Sequence, residues 1–511
     1  MQPYWKRYFL LATLVFCVIQ TPVSARELFP AHNGALSLGY ETLALAADER
    51  MGLAGMSFLL HQAVKQDLQA YGGLAAYGAM SGHRGGFFTG GFSAGILLPL
   101  RGRLSLDTGL FVGGGGGGAA PQGGGLMLRP HLGLDYQLAD WRWGLQWSRV
   151  RFPNGAIDSE QISLKLTRPL QFRFAGGWLE QKPAVNPVVA QERSQRSSLR
   201  RLSVNQWSYF PRSGTRDTSG TITGTPMRLL GFSIDLELGR KHFLSLQTAG
   251  AMAGNADGYA EVLWAYGRSY DLSEQLSWRA ALALGAGGGG SVATGGGLLG
   301  RATLALDYSL NTSWQTLLIL GHVVAPQGDF SADVIGLQLA YHYAVPTENT
   351  AAHFNHPQHW RLRGAWQTCR PYGDSHRKGQ ASVDRRRVDL VGSKIDLMLT
   401  PTIYVSGQAL GAYAGGAGGY AVGQFGLGWR FPVSGSLHAN SELLFGAGGG
   451  GGLDVGGGQL VQAMVGLEME LDDRFSLIVS AGEVVAMDGS LRAGVVNVAV
   501  GYRLSLPVIR L

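Results

Sequence analysis

The chain has 511 residues, 78 of them glycine, and carries 42 Lys and Arg against 35 Asp and Glu, a formal net charge of +7. Charged residues make up 15 % of it, against ~25 % in ordinary soluble domains. Two cysteines, Cys17 and Cys369, exclude a disulfide framework, a cysteine-based metal site and haem attachment.

The first element in chain order is an export signal. Lys6 and Arg7 precede the apolar run Tyr8–Ile19, and Val23-Ser24-Ala25 supplies a small-residue cleavage site. This pattern predicts residues 1–25 as a signal peptide and a mature chain from Arg26. Cys17 then leaves, so Cys369 is the one thiol of the mature chain, and loss of Lys6 and Arg7 lowers the net charge from +7 to +5. No later stretch reaches the roughly 18 consecutive apolar residues of a membrane helix.

Beyond the signal, apolar and polar residues alternate. Leu126, Leu128, Leu132, Leu134 and Tyr136 interleave with Arg129, His131, Gly133 and Asp135. Trp278, Leu282 and Leu284 interleave with Arg279, Ala281 and Ala283, and Val496, Val498 and Val500 with Asn497, Ala499 and Gly501. One face apolar and the other polar or small, at period two, is a strand between two different environments. Tyr136, Trp278 and Tyr308 end the apolar faces, as interfacial girdles do.

The alternating segments repeat. Leu104–Leu138, Leu276–Leu310 and Leu437–Leu471 each run from strand into a glycine tract and out into strand, with tracts starting at Gly113, Gly285 and Gly446. Upstream, segments starting at Met51, Met227 and Val388 align, sharing Gly55, Gly231 and Gly392. Unit 3 parses into eight strands: His359–Pro371, Arg387–Thr400, Ile403–Ala414, Gly419–Pro432, Ser436–Gly449, Gly457–Leu471, Phe475–Met487 and Ser490–Leu506. The predicted organisation is unit 1 at 26–177, a linker at 178–205, unit 2 at 206–345, a linker at 346–357 and unit 3 at 358–511.

The predicted fold is all-β: a transmembrane antiparallel β-barrel of about 24 strands in three eight-strand repeats. Connections after even strands are short, as at Ala139-Asp140, and some after odd strands are long, as at Pro371–Asp384. That asymmetry places the three glycine hairpins, which join fifth and sixth strands, on the external rim. Lacking Cβ, glycine lets backbones approach closely and leaves space, so Gly and Ala on the inward side of strand five are expected to hollow the outer mouth. Two closures fit the count, one ring of about 24 strands or three tandem barrels of eight. Inward Gly and Ala fill a small barrel poorly, which favours the single ring.

The last strand carries a resemblance. Ala499-Val500-Gly501-Tyr502-Arg503-Leu504-Ser505-Leu506 is similar to the assembly signal of Gram-negative outer-membrane β-barrel proteins as a general class. Leu504 and Leu506 stand where that signal has aromatic residues, and Pro507–Leu511 extends beyond it. The resemblance implies a cell outer membrane location, insertion by the outer-membrane assembly machinery, and contact with outer-membrane lipid and lipopolysaccharide.

Candidate lumen residues recur at equivalent places. Arg129, Arg301 and Gln462 align on strand six, as do Asp135, Asp307 and Glu468; strand five adds Asp107, Arg279, Asn440 and Glu442. Strand-six pairs lie six residues apart, about 20 Å, so they cannot pair with each other. They are either ion pairs filling the interior or a polar ring that tunes passage. His131 and His438 face inward without a repeated partner at catalytic spacing, so no enzyme activity, metal or cofactor is expected. Gly295–Gly300 is followed by Arg301-Ala302, which is not a phosphate loop. The external loop with Arg377, Lys378, Arg385, Arg386 and Arg387 could bind lipopolysaccharide phosphates, and the Arg193–Arg201 cluster a periplasmic lipid or protein. Nucleic acid is not expected as a partner. The function read from this pattern is a channel or export/import pore for a solute or polymer. The alternative is a non-transport structural or surface-binding barrel whose external loops bind a partner.

Overall fold

The computed structural model describes residues 29–45, 48–65, 68–179, 197–238, 241–346 and 356–508. The predicted signal peptide, most of the predicted linkers, Arg193 and the last three residues lie outside them. Within the described residues there are 25 β-strands and no helix.

Barrel 1 comprises β1 (Ala31–Ala44), β2 (Arg50–Lys65), β3 (Leu68–Ser81), β4 (Phe88–Pro99), β5 (Leu104–Gly116), β6 (Met127–Leu138), β7 (Trp141–Arg151) and β8 (Asp158–Arg173). A two-residue strand, β9 (Ala175–Gly176), comes next. Barrel 2 comprises β10 (Ser197–Pro211), β11 (Met227–Leu238), β12 (His242–Ala253), β13 (Ala260–Asp271), β14 (Leu276–Gly288), β15 (Leu298–Ser309), β16 (Trp314–Val324) and β17 (Ser331–Pro346). Barrel 3 comprises β18 (His356–Pro371), β19 (Val388–Met398), β20 (Ile403–Ala414), β21 (Ala421–Ser434), β22 (Leu437–Gly449), β23 (Gln459–Glu470), β24 (Phe475–Ala486) and β25 (Arg492–Val508).

Each set of eight closes on itself. β1 pairs with β8 from Ala31↔Arg173 to Glu41↔Ser163, β10 with β17 from Ser197↔Pro346 to Pro211↔Ala332, and β18 with β25 from His356↔Val508 to Pro371↔Ala493. The strand pairing is therefore that of three tandem barrels and not of the single wide ring favoured from sequence. A single ring needs the last strand of one unit to pair with the first of the next, and no such pair exists among the described residues. The inward glycines do not leave a wide lumen, because aromatic rings on neighbouring strands occupy the space they open. A Cβ on Gly55 would lie 2.7 Å from the Tyr77 ring, and one on Gly336 2.7 Å from the Trp207 ring. Glycine paired with an inward ring fills a narrow barrel.

The barrels are apolar outside, and polar side chains occupy much of their interior. On β6, Met127, Arg129, His131, Gly133 and Asp135 are buried, while Leu132, Leu134 and Tyr136 are exposed. Trp141 and Trp143 of barrel 1 and Tyr308 and Trp314 of barrel 2 stand exposed near the short-turn ends. This is the arrangement of a barrel that meets lipid.

The first linker is tethered to barrel 3. β9 adds to the free edge of β25 at Leu504 and Ser505, and Trp178 donates its indole N–H to the Trp360 carbonyl at 3.0 Å. The guanidiniums of Arg430 and Arg503 lie over the Trp178 ring at 5.1 and 5.4 Å. At the other end of the linker the strand starts at Ser197, within the stretch expected to be irregular.

Candidate functional site: filled lumens and glycine seams

The interior of each barrel is layered. At the hairpin end sits an apolar cap. In barrel 1 it includes Leu43, Met51, Phe87, Phe111, Met127 and Phe152, with Phe87 and Phe152 edge to face at 5.8 Å. In barrel 2 it includes Met227, Tyr259, Leu299 and Phe330, and in barrel 3 Leu390, Tyr420, Leu453 and Leu460. The outer mouth expected to be hollow is closed by these side chains. Apart from Phe111 of β5, their bulk comes from neighbouring strands and loops, which strand five alone does not reveal.

Below the cap lies a first polar layer, which the strand-six position helps to build in all three barrels. In barrel 1, Arg129 donates from Nε to Glu41 Oε1 at 2.8 Å and from Nη2 to Oε2 at 3.0 Å. In barrel 2 the guanidinium of Arg301 covers the Trp207 ring at 4.3 Å and pairs with Glu261 at 2.6 Å. The hydroxyls of Tyr209 and Tyr259 also donate to Glu261. In barrel 3, Gln462 and Gln367 exchange side-chain hydrogen bonds at 3.3 Å.

The second layer lies nearer the short-turn end. In barrel 2, Arg201 bridges Asp235 at 2.6 Å and Asp307 at 3.0 Å, and Arg279 reaches Asp235 at 3.0 Å. In barrel 3, Arg361 bridges Asp396 at 2.7 Å and Glu468 at 2.5 Å. Arg363 joins Asp396 to Glu442, which Lys394 also meets at 2.5 Å. Barrel 1 departs from this plan. Register places Ala35 opposite Leu59 where the others have Arg201 opposite Asp235 and Arg361 opposite Asp396. Lys165 of β8 takes over, pairing with Asp107 at 2.5 Å and Asp135 at 2.8 Å. Tyr71 donates to Asp107 at 2.7 Å and lies 3.0 Å from His131 Nε2. A cavity of about 60 Å³ remains here, bordered by Glu41, Leu59, Tyr71, Asp107, His131 and Lys165.

The sequence candidates Arg129, Asp135, Asp107, Arg301, Asp307, Arg279, Gln462, Glu468 and Glu442 are thus all buried inside the barrels. Asn440 is buried too, and His438 lies 4.0 Å from Glu470. As their spacing requires, the strand-six charges do not pair with one another; each finds a partner on another strand. Sequence reasoning missed the partners Glu41, Lys165, Asp235, Glu261, Arg361, Arg363, Lys394 and Asp396, and it misread Arg201, which was assigned to a periplasmic basic cluster but is buried in barrel 2 between Asp235 and Asp307. One signal was present. In the aligned second strands, Asp235 and Asp396 occupy the same column.

The basic loop Tyr372–Arg387 pairs most of its charge with carboxylates, and of its cations Arg377 is buried while Lys378, Arg386 and Arg387 stay exposed. Arg377 pairs with Asp384 at 2.5 Å and donates to the carbonyl of Gly451 at 2.7 Å. Lys378 pairs with Asp257 of barrel 2 at 2.5 Å. Arg386 pairs with Asp384 at 2.8 Å and Arg387 with Asp389 at 3.1 Å. Of the five predicted cations, only Arg385 has no ion pair among the described residues.

The glycine hairpins form the joints between barrels. The β3–β4 loop of barrel 1 lies on the β14–β15 hairpin of barrel 2, where Gly85 N donates to Gly295 O at 2.8 Å. The β20–β21 loop of barrel 3 lies on the β5–β6 hairpin of barrel 1, where Gly419 N donates to Gly115 O at 3.1 Å and Gln122 donates to Gly418 O at 3.0 Å. The β12–β13 loop of barrel 2 lies on the β22–β23 hairpin of barrel 3. A Cβ on Gly258 would stand 2.7 Å from Gly450 N, one on Gly114 2.6 Å from Gly411 O, and one on Gly288 2.6 Å from Gly86 N. Backbone packs on backbone at each seam, which only glycine permits. Every barrel offers its third strand to one neighbour and its fifth to the other, so the three seams close a ring with approximate threefold symmetry.

No protein-family model matches the chain, and no curated protein does. Among solved structures, the ferric enterobactin receptor PfeA of Pseudomonas aeruginosa is 12 % identical, with 94 % of this chain and 82 % of that one covered and a TM-score of 0.28. The siderophore receptor PirA of Acinetobacter baumannii is 8 % identical, over 94 % and 81 %, with a TM-score of 0.28. OccK11 of Pseudomonas aeruginosa is 12 % identical, over 94 % and 98 %, with a TM-score of 0.23. Likenesses this slight say nothing about what this chain does.

Proposed function

We propose that the chain is an outer-membrane protein of the Gram-negative type whose three barrels form one membrane-embedded body with lumens closed at rest. The observation that carries this reading is the filling of each barrel by an apolar cap and two polar layers. An eight-stranded barrel is just wide enough for its own side chains to fill, and here they do. The apolar exterior and the exposed aromatic residues near the short-turn ends support the membrane location. Export by residues 1–25, and insertion by assembly machinery that reads the end of β25, belong to the same proposal. The closed body presents its rim to a surface or periplasmic partner.

A second reading, a gated channel, is favoured by one observation: the cavity in barrel 1, bordered by Leu59, whose pairing with Ala35 stands where the other two barrels have an ion pair. Passage there requires the Lys165 and Arg129 contacts and the cap to open together. Planar-bilayer recordings test both readings. The unaltered protein is expected to show no steady conductance above lipid background, and Arg129→Ala with Lys165→Ala to raise it. Steady conductance from the unaltered chain overturns the closed reading, and silence of the double variant even with the cap residues Phe87 and Phe111 truncated to alanine overturns the gated one.

A further inference from the structure

On the outer wall of barrel 3, at the hairpin end, lies a groove of about 470 Å³ bordered by Thr368, Arg370, Arg387, Gly494 and Val496, among others. Alternation turns Thr368 and Arg370 outward on β18, and Arg492, Gly494 and Val496 outward on β25. The two strands pair here, Arg370 opposite Gly494. A Cβ on Gly494 would meet nothing within 4 Å, so the floor of the groove is open. Nearer the short-turn end it runs onto Val496 and Val498, which are exposed and apolar.

Arg370 and Arg387 border this apolar trough, and Arg492 faces outward two residues before Gly494 on β25, toward the rim. Arg370 and Arg492 have no ion pair among the described residues, and Arg387, though paired with Asp389, is 61 % exposed. The two nearby acids are engaged. Asp389 accepts from Thr368 at 2.9 Å as well as from Arg387, and Glu483 accepts from the Tyr372 hydroxyl. Three cations against two acids leave a net positive rim.

We propose that this groove binds a phosphate-bearing acyl lipid of the outer leaflet, with the phosphate among Arg370, Arg387 and Arg492 and one acyl chain along Gly494 and Val496. The inference rests on the membrane reading above and names a partner for it. Arginine's planar fork matches phosphate oxygens and forms charge-assisted hydrogen bonds, and the acyl chain gains by burial against apolar surface. The site shares Arg387 with the basic loop singled out from sequence and leaves out its other four cations, three of which are already in ion pairs.

The test uses the full chain in neutral detergent, titrated with bis-phosphorylated lipid A and with the same lipid stripped of phosphate, read by native mass spectrometry. Preference for the phosphorylated lipid is expected. Arg370→Ala, Arg387→Ala and Arg492→Ala should each weaken it about tenfold, or about 1.4 kcal/mol. Gly494→Trp, at a position with open space, should block the chain without disturbing the barrel. Equal binding of both lipids, or arginine variants that bind like the parent, overturns the proposal. So does competition by inorganic phosphate at the lipid's own concentration, which would mark a simple anion site. Insertion into liposomes is tracked separately by the gel shift of unboiled samples. A chain that fails to insert refutes the membrane reading, whereas an inserted chain without lipid preference refutes only the groove.

Discussion

Arg361 is fully buried between Asp396 and Glu468, and its guanidinium also covers the Tyr404 ring at 4.9 Å. Removing one member of such a cluster leaves buried charge without compensation, which costs roughly 3–5 kcal/mol. Arg361→Ala is therefore expected to destabilise barrel 3 by that amount in denaturant titrations of the lipid-inserted protein. A loss under about 1 kcal/mol would mean water reaches the cluster and the lumen is wet. The same chemistry explains what could be read in advance at this scale. Alternation showed which side chains face inward, so Arg129, Asp307 and Glu468 were found. Their partners come from strands distant in sequence, and pairing across a closed barrel depends on register, which a single strand does not encode. The replacement of an arginine–aspartate pair by Ala35 and Leu59 is a property of the registers of the three barrels, which no single strand carries.

The strands themselves were legible. Period-two alternation located the eight strands of barrel 3 to within a few residues at each end, because each strand separates an apolar exterior from a small or polar interior. Closure was not legible, since the hydrogen bonds between first and last strands belong to the backbone and carry no residue label. The glycine tracts were recognised as equivalent hairpins, but their role as seams depends on the neighbouring barrel. Two alanine substitutions separate that role from glycine's general tolerance. Gly449→Ala points a Cβ at Gly258 of barrel 2, whereas Gly423→Ala meets nothing within 4 Å. The first is expected to cost about 1–3 kcal/mol through overpacking and to loosen the barrel 2–barrel 3 seam in cysteine cross-linking across it; the second should be silent. Equal effects would contradict the seam. The loop Tyr372–Arg387 offers a pH test. Hydrogen bonds from Arg386 and then Arg377 hold the Asp384 carboxyl well below the usual carboxylate range. A depressed carboxyl stabilises above its ordinary pKa, and that contribution is lost as pH falls through the folded value. Hydrogen exchange of the loop amides should stay slow through mild acid and quicken only under strongly acidic conditions. Asp384→Ala should exchange fast throughout, and an unchanged rate would show that the carboxylate does not hold the loop.

At the scale of the whole molecule, three copies of one eight-strand unit form a ring by repeating one contact three times. Each barrel's third strand and the loop after it meet the fifth-strand hairpin of the next, and the third seam returns to the first barrel. A heterologous contact that closes is how rings of identical subunits are built; here the subunits share one chain. The tether of β9 and Trp178 onto barrel 3 fixes the first linker at the opposite end from the seams. Electron cryo-microscopy of the detergent-solubilised chain, viewed down the barrel axes, tests this architecture most directly. Three small rings in mutual contact around an approximate threefold axis, each filled with density, are the predicted result. One wide ring of about 24 strands enclosing an open lumen would contradict it.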